Sequence, residues 1–129
     1  MMTAAAAHRE AKAREIENIL TLSDHHRNLW SEIAEKPELQ RIFQTNVDVL
    51  KKPATVIEEV FLNEAAAHFL TGWRISKAGG ITTLKELAID AKWFFSLPLP
   101  RAIWEKTKKN RNRRFVTFID KSLVTIARN

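Results

Sequence analysis

The sequence predicts an all-α fold: a compact bundle of about six helices with a long central helix and a proline-interrupted C-terminal helical region. Three observations carry that prediction. Apolar residues recur at three- and four-residue steps instead of alternating. Glycine and proline number only three and four, and nearly all of them fall between those stretches. Two threonines followed three residues later by glutamate, Thr55 to Glu58 and Thr83 to Glu86, have the spacing of capping boxes that open helices.

The first helix is expected over residues 9–35, where Ile16, Ile19, Leu20, Trp30, Ile33 and Ala34 share one stripe. Residues 1–8 are expected to be frayed or disordered. Lys36-Pro37 ends the helix, and Pro37, with no amide hydrogen to lose, suits the first position of a short helix carrying Leu39, Ile42 and Phe43. Residues 46–53 connect to a long helix that starts at the Thr55 box and ends near Ala78. Val56, Ile57, Val60, Phe61, Leu62, Ala65, Ala66, Phe69, Leu70, Trp73 and Ile75 surround it almost completely, which marks it as the central, most buried helix. Gly79-Gly80 supplies its C-terminal cap. The Thr83 box opens a helix whose Leu84, Leu87, Ala88, Ala91, Phe94 and Phe95 face the core and which Ser96 ends. Pro98 and Pro100 predict an extended or turn-like approach to a short helix through Ile103 and Trp104. A turn at 110–112 leads to a last helix, about 113–127, that buries Phe115, Phe118, Ile119, Leu123 and Ile126.

A chain of 129 residues suits one domain, here 9–129. With no cysteine, a disulfide framework, a thiolate metal site and a cysteine nucleophile are excluded, and a packed core must supply the stability. No apolar run approaches the roughly 18 to 20 residues of a spanning helix. The first residues lack the basic, apolar and cleavage regions of a secretion signal. The expected location is cytoplasmic, with association at a membrane surface compatible with the charge pattern described next.

The net charge of +6 sits in one place. Residues 101–114 hold seven bases (Arg101, Lys106, Lys108, Lys109, Arg111, Arg113, Arg114) and one acid, Glu105, while the other 115 residues carry 14 charges of each sign. This is a neutral body with one basic strip. Lys106, Lys108 and Lys109 fall in the last turn of a helix, where cations suit the dipole, but Arg113 and Arg114 start the next helix, where it opposes them. Their presence points to an anionic partner: an acidic protein, a membrane surface, or nucleic acid held through phosphates. No helix-turn-helix, zinc-finger or RNA-binding signature accompanies the charge. The residues assigned to the partner surface are Arg101, Lys108, Lys109, Arg111, Arg113 and Arg114. A partly exposed apolar face on the first helix would also allow pairing with a second copy.

Enzyme signatures are missing: no Walker loop, nucleophile elbow or dinucleotide fingerprint occurs. One constellation remains. His26 falls on the inward side of the first helix, Glu64 and His68 share a face of the central helix, and Asp90 lies between Leu87 and Phe94. Converging, these four would form an acid–base or metal-binding site within the bundle. Their spacing matches neither Glu-x-x-His nor His-Glu-x-x-His, so a mutually satisfied buried polar cluster is the favoured reading, with no metal and no cofactor. Trp30, Trp73, Trp93 and Trp104 are read as core.

Leu29-Trp30-Ser31-Glu32, Pro37-Glu38-Leu39, Trp93-Phe94-Phe95-Ser96-Leu97-Pro98-Leu99-Pro100-Arg101-Ala102-Ile103-Trp104 and Arg114-Phe115-Val116-Thr117-Phe118-Ile119-Asp120 together resemble an uncharacterised bacterial family of small helical proteins. The resemblance covers most of the chain from about Ala11, and residues 93–104 are its most specific part. Members often carry this region on the cytoplasmic side of an N-terminal transmembrane helix, which this sequence does not contain. The resemblance implies a helical fold and supplies no catalytic residues. The expectation that follows is a non-enzymatic interaction or regulatory module that meets an anionic partner through residues 101–114.

Overall fold

The computed structural model describes residues 3–79 and 83–124, and it is all-helical over them, with no strand. Five α-helices follow one another: α1 (Ala4–Glu35), α2 (Val56–Lys77), α3 (Leu84–Phe95), α4 (Pro98–Thr107) and α5 (Arg113–Val124). A 3-10 segment, Pro37–Phe43, lies between α1 and α2, and a shorter one, Lys108–Asn110, joins α4 to α5. The expectations for the side chains of Ile16, Ile19, Leu20 and Trp30, and for Gly80, Ile126 and Ala127, lie outside the described residues.

Local chemistry sets most boundaries. The Thr55 box closes completely: the Glu58 N–H donates to Thr55 Oγ1 at 3.2 Å and the Thr55 N–H to Glu58 Oε1 at 2.9 Å. Thr83 Oγ1 accepts from the Glu86 N–H at 3.1 Å. Gly79, at φ 84, takes the left-handed conformation that ends α2, and its N–H reaches the Ser76 carbonyl at 3.2 Å. Two boundaries differ from the sequence-based expectation. α1 begins at Ala4, not Arg9, because Thr3 accepts from the Ala6 N–H at 3.1 Å and the alanines that follow favour helix. α4 begins at Pro98: both prolines sit in its first turn, where the missing N–H groups would have had no intrahelical partner, so no extended approach is needed.

The core is built around α2, which packs against α1, α3, α4 and the 37–43 segment. Leu39, Ile42, Phe61, Leu62, Leu87, Ala91, Ile103 and Ile119 are buried as expected, and Leu97, Leu99 and Pro100 join them. An aromatic chain runs through it. Phe43 meets Phe94, Phe94 and Phe95 meet Phe69 at 5.8 and 5.2 Å, Phe95 meets Trp104 at 5.0 Å, and Phe115 stands edge-on to Trp104 and against Trp73, both at 5.8 Å. The Trp104 N–H finds Asp120 Oδ1 at 2.9 Å.

Several residues assigned to the core are outside it. Val56, Ile57 and Val60 are 77, 48 and 54% exposed. The His26–His68 contact and the Glu32–Glu64 pairing set α1 antiparallel to α2, so α1 ends at Glu35 about level with Phe61 and leaves the first turn of α2 without a neighbour on that side. Leu84 is exposed at the start of α3, and Ala34 faces solvent. Trp93 is 58% exposed and lies on the outer side of α3, stacked at 6.2 Å on Phe43.

Among the described residues the buried charge is Glu58, whose carboxylate is 1% exposed. Arg41 grips it with two bonds, Nη2 to Oε1 at 2.6 Å and Nε to Oε2 at 3.0 Å, and the same guanidinium donates to the carbonyls of Lys52 and Pro53 at 2.9 and 3.0 Å. Burial alone would raise the Glu58 pKa, but Arg41 and the Thr55 N–H outweigh it and hold the carboxyl below its ordinary value. Two outcomes are expected. Arg41→Ala or Glu58→Ala lowers unfolding free energy by about 3 kcal/mol, and the double variant costs far less than the sum, as denaturant titration would measure. Because the folded pKa is depressed, this contribution is complete above the ordinary glutamate value and fades as pH falls through the folded one. The difference between Glu58→Gln and the parent chain should therefore shrink in acid melting curves.

Candidate functional site

The candidate surface is the corner where α4 turns into α5. Its geometry follows from short-range bonds in the run Thr107-Lys108-Lys109-Asn110-Arg111-Asn112. The Thr107 hydroxyl donates back to the Ile103 carbonyl at 2.8 Å and itself accepts from Arg111 Nε and Nη2 at 3.2 and 3.1 Å. The Asn112 side chain accepts from the Phe115 N–H at 3.1 Å and its carbonyl from the Val116 N–H, which starts α5. Phe115 and Ile119 are buried, which leaves Arg113, Arg114 and Thr117 on the outside.

The six residues assigned to the partner surface divide into two groups. Three are engaged within the chain. Arg101 is paired with Glu105 at 3.1 Å, and Lys108 bridges Glu105 at 2.8 Å and Asp120 at 3.3 Å. The bond to Glu105 and the pull of Asp120 raise the Lys108 pKa against the opposing effect of burial. Arg111 is tied by its Nη2 to Asn63 Oδ1 at 2.7 Å and lies 5.9 Å from the Trp104 ring centre. Among the described residues its acceptors are neutral, and desolvation lowers its pKa from the ordinary arginine value. Lys106 takes Glu59 at 2.7 Å. Arg101 thus stays exposed but carries an intrachain acid, Lys108 is half-buried between two, and acids of α2, α4 and α5 neutralise the α4 end of the strip. The other group is Lys109, Arg113 and Arg114, all exposed, whose side chains make no hydrogen bond or ion pair among the described residues.

The four-residue polar constellation does not assemble. Asp90 is exposed and lies on α3, while the other three sit where α1 meets α2, His26 at the solvent-exposed edge of that seam. His26 and His68 approach to 6.0 Å between ring centres. Glu64 and His68 instead line an open cleft of about 480 Å³ with Asn28, Ser31, Glu32 and Glu35 of α1. Among the described residues no group of three or more acidic or histidine side chains is arranged to hold a metal ion. The partner of Glu64 is Glu32, which sequence spacing could not reveal because the pairing depends on the α1–α2 register. Desolvation, and then the neighbouring Glu32 carboxyl, push the Glu64 pKa up, while Lys36 pulls it down.

Compared with known protein families, curated proteins and solved structures, the chain matches none.

A raised acid pKa in the folded state means that stability is lost as pH climbs from the ordinary glutamate value through the folded one. Glu64→Gln should therefore raise the melting temperature at pH near 7, by no more than the equivalent of about 1 kcal/mol for so exposed a group. The gain should vanish below the ordinary glutamate pKa. Equal effects of the substitution in acid and at neutrality would contradict the carboxyl pairing.

Proposed function

We propose that this protein is a non-enzymatic helical interaction module whose anionic partner docks on the corner formed by Lys109, Arg113 and Arg114. One observation carries the reading. Neighbouring cations on α4 and at its end are each matched to an acid of the same chain, whereas these three stand exposed and, among the described residues, unmatched around the start of α5, where the helix dipole disfavours positive charge. Nothing in the fold requires them there, so their use is outward. Arg111, fixed by Asn63 and Thr107, holds a fourth positive charge behind them without contributing an acid. The exposed neighbours Asn110, Asn112 and Thr117 are polar, which suits electrostatic contact with an anionic surface and not insertion of apolar side chains. A membrane-proximal setting, as the family resemblance of residues 93–104 implies, is one place where such a surface is met.

Co-sedimentation with vesicles containing anionic lipid tests this directly. At about 1 kcal/mol per basic residue, replacing Lys109, Arg113 and Arg114 by alanine should weaken binding roughly a hundredfold. Replacing Arg101 and Lys108 should weaken it far less, and binding should fade as salt rises. Retention by neutral vesicles alone would oppose an electrostatic role. Binding to a nucleic-acid duplex with a salt slope that drops in the triple variant, together with no binding to vesicles, would transfer the same corner to a phosphate backbone.

A further inference from the structure

Arg111 is held unlike the other bases of residues 101–114. Its Nε and Nη2 donate to Thr107 Oγ1 at 3.2 and 3.1 Å, and Nη2 also donates to Asn63 Oδ1 at 2.7 Å. The guanidinium lies 5.9 Å from the Trp104 ring centre. These contacts tie it to α2 and to α4 and leave the side chain one position. Desolvation alone shifts its pKa, so no carboxylate of the described residues compensates its charge.

Neutral acceptors do not call for a cation. An amide side chain would donate to them without the cost of taking a charge out of water. The charge of Arg111 is explained if something outside the chain uses it, and one side of the guanidinium is open for that. Nη1 makes no hydrogen bond among the described residues and is reached by solvent, so two N–H donors of a fixed cation face water. Lys109 stands two residues before Arg111, and Arg113 and Arg114 two and three residues after it, all exposed. Four positive charges therefore gather within residues 109–114, which contain no acid.

We propose that Arg111 is the anchor of the docking corner and that the group it receives is a phosphate monoester, whose oxygens bond Nη1 while Lys109, Arg113 and Arg114 neutralise the remaining charge. This rests on the docking reading given above and names its ligand. A carboxylate brings a single charge. A phosphate monoester brings close to two near neutral pH, with three terminal oxygens, and so matches four cations better. The division of labour follows from mobility. Long exposed side chains attract an anion but must be ordered to hold it, whereas Arg111 is already fixed by Asn63, Thr107 and Trp104 before any ligand arrives.

The test uses the full chain and phosphatidylcholine vesicles that carry either phosphatidic acid, a monoester, or phosphatidylglycerol, a diester, at equal surface charge. The parent chain should prefer phosphatidic acid by roughly tenfold. Arg111→Gln, shown by circular dichroism to remain folded, should lose that preference, and so should Arg111→Lys, which keeps the charge but not the planar fork. Replacing Lys109, Arg113 and Arg114 by alanine should weaken binding to both lipids alike and leave the preference in place. Melting in inorganic phosphate separates the sources of the group. A rise in melting temperature that Arg111→Gln abolishes, without a lipid preference, assigns the seat to a soluble phosphate. A preference that survives both Arg111 variants overturns the anchor and leaves the docking corner standing, as does equal affinity for the two lipids with no melting shift in phosphate. A triple variant that binds both lipids as the parent does overturns the corner itself, and the anchor with it.

Discussion

The bidentate bond between Arg41 and Glu58 is the constraint on which the described architecture rests. Three segments that share no regular hydrogen bonding meet there: the 37–43 segment supplies the guanidinium, the connection before α2 supplies the Lys52 and Pro53 carbonyls, and the first turn of α2 supplies the carboxylate. Glu58 also closes the capping box on Thr55, so one carboxylate fixes both where α2 starts and how the chain reaches it. Such a pair stabilises weakly compared with apolar residues of the same shape, since both charges must leave water. Its effect is directional. It sets the position of α2, and α2 in turn carries Phe61, Leu62, Ala65 and Ala66 into the core and holds Asn63 and Glu59 where Arg111 and Lys106 find them.

From there the positive edge is shaped by subtraction. The seven bases of residues 101–114 emerge from sequence as one strip, but folding draws Glu59, Glu105 and Asp120 onto its α4 side. The surface that remains positive is smaller than the strip and centred on the first turn of α5.

Much of the fold was legible in the sequence for physical reasons that can be stated residue by residue. Thr55, Gly79, Thr83 and Ser96 act through bonds spanning three or four residues, and such local chemistry survives without knowledge of the tertiary arrangement. Leu39, Phe61, Leu87, Ala91, Trp104 and Phe115 were identifiable because apolar periodicity reports which face a helix buries. Periodicity does not report how far a neighbour extends, so Val56, Ile57 and Val60 were placed inside although α1 stops short of them. The same limit hid the site chemistry. Arg41 and Glu58, 17 residues apart, carry no spacing signal, and neither do Glu32 and Glu64, whose meeting depends on a register between helices. Asp90 was misplaced because a polar residue within an apolar stripe can sit at its edge and turn outward, and His26 meets His68 only at the exposed margin of the α1–α2 seam.

Pro98 and Pro100 occupy the first and third positions of α4, and the Arg101 amide already bonds the Leu97 carbonyl at 2.9 Å. Only the Leu99 amide is left over in that opening turn. α5 is different: Asn112 satisfies the Phe115 amide, while Arg113 and Arg114 keep their own backbone N–H groups outside the helical ladder. The first turn of α4 is thus nearly stripped of amide donors by proline, whereas the first turn of α5, beyond the other end of α4, still carries them.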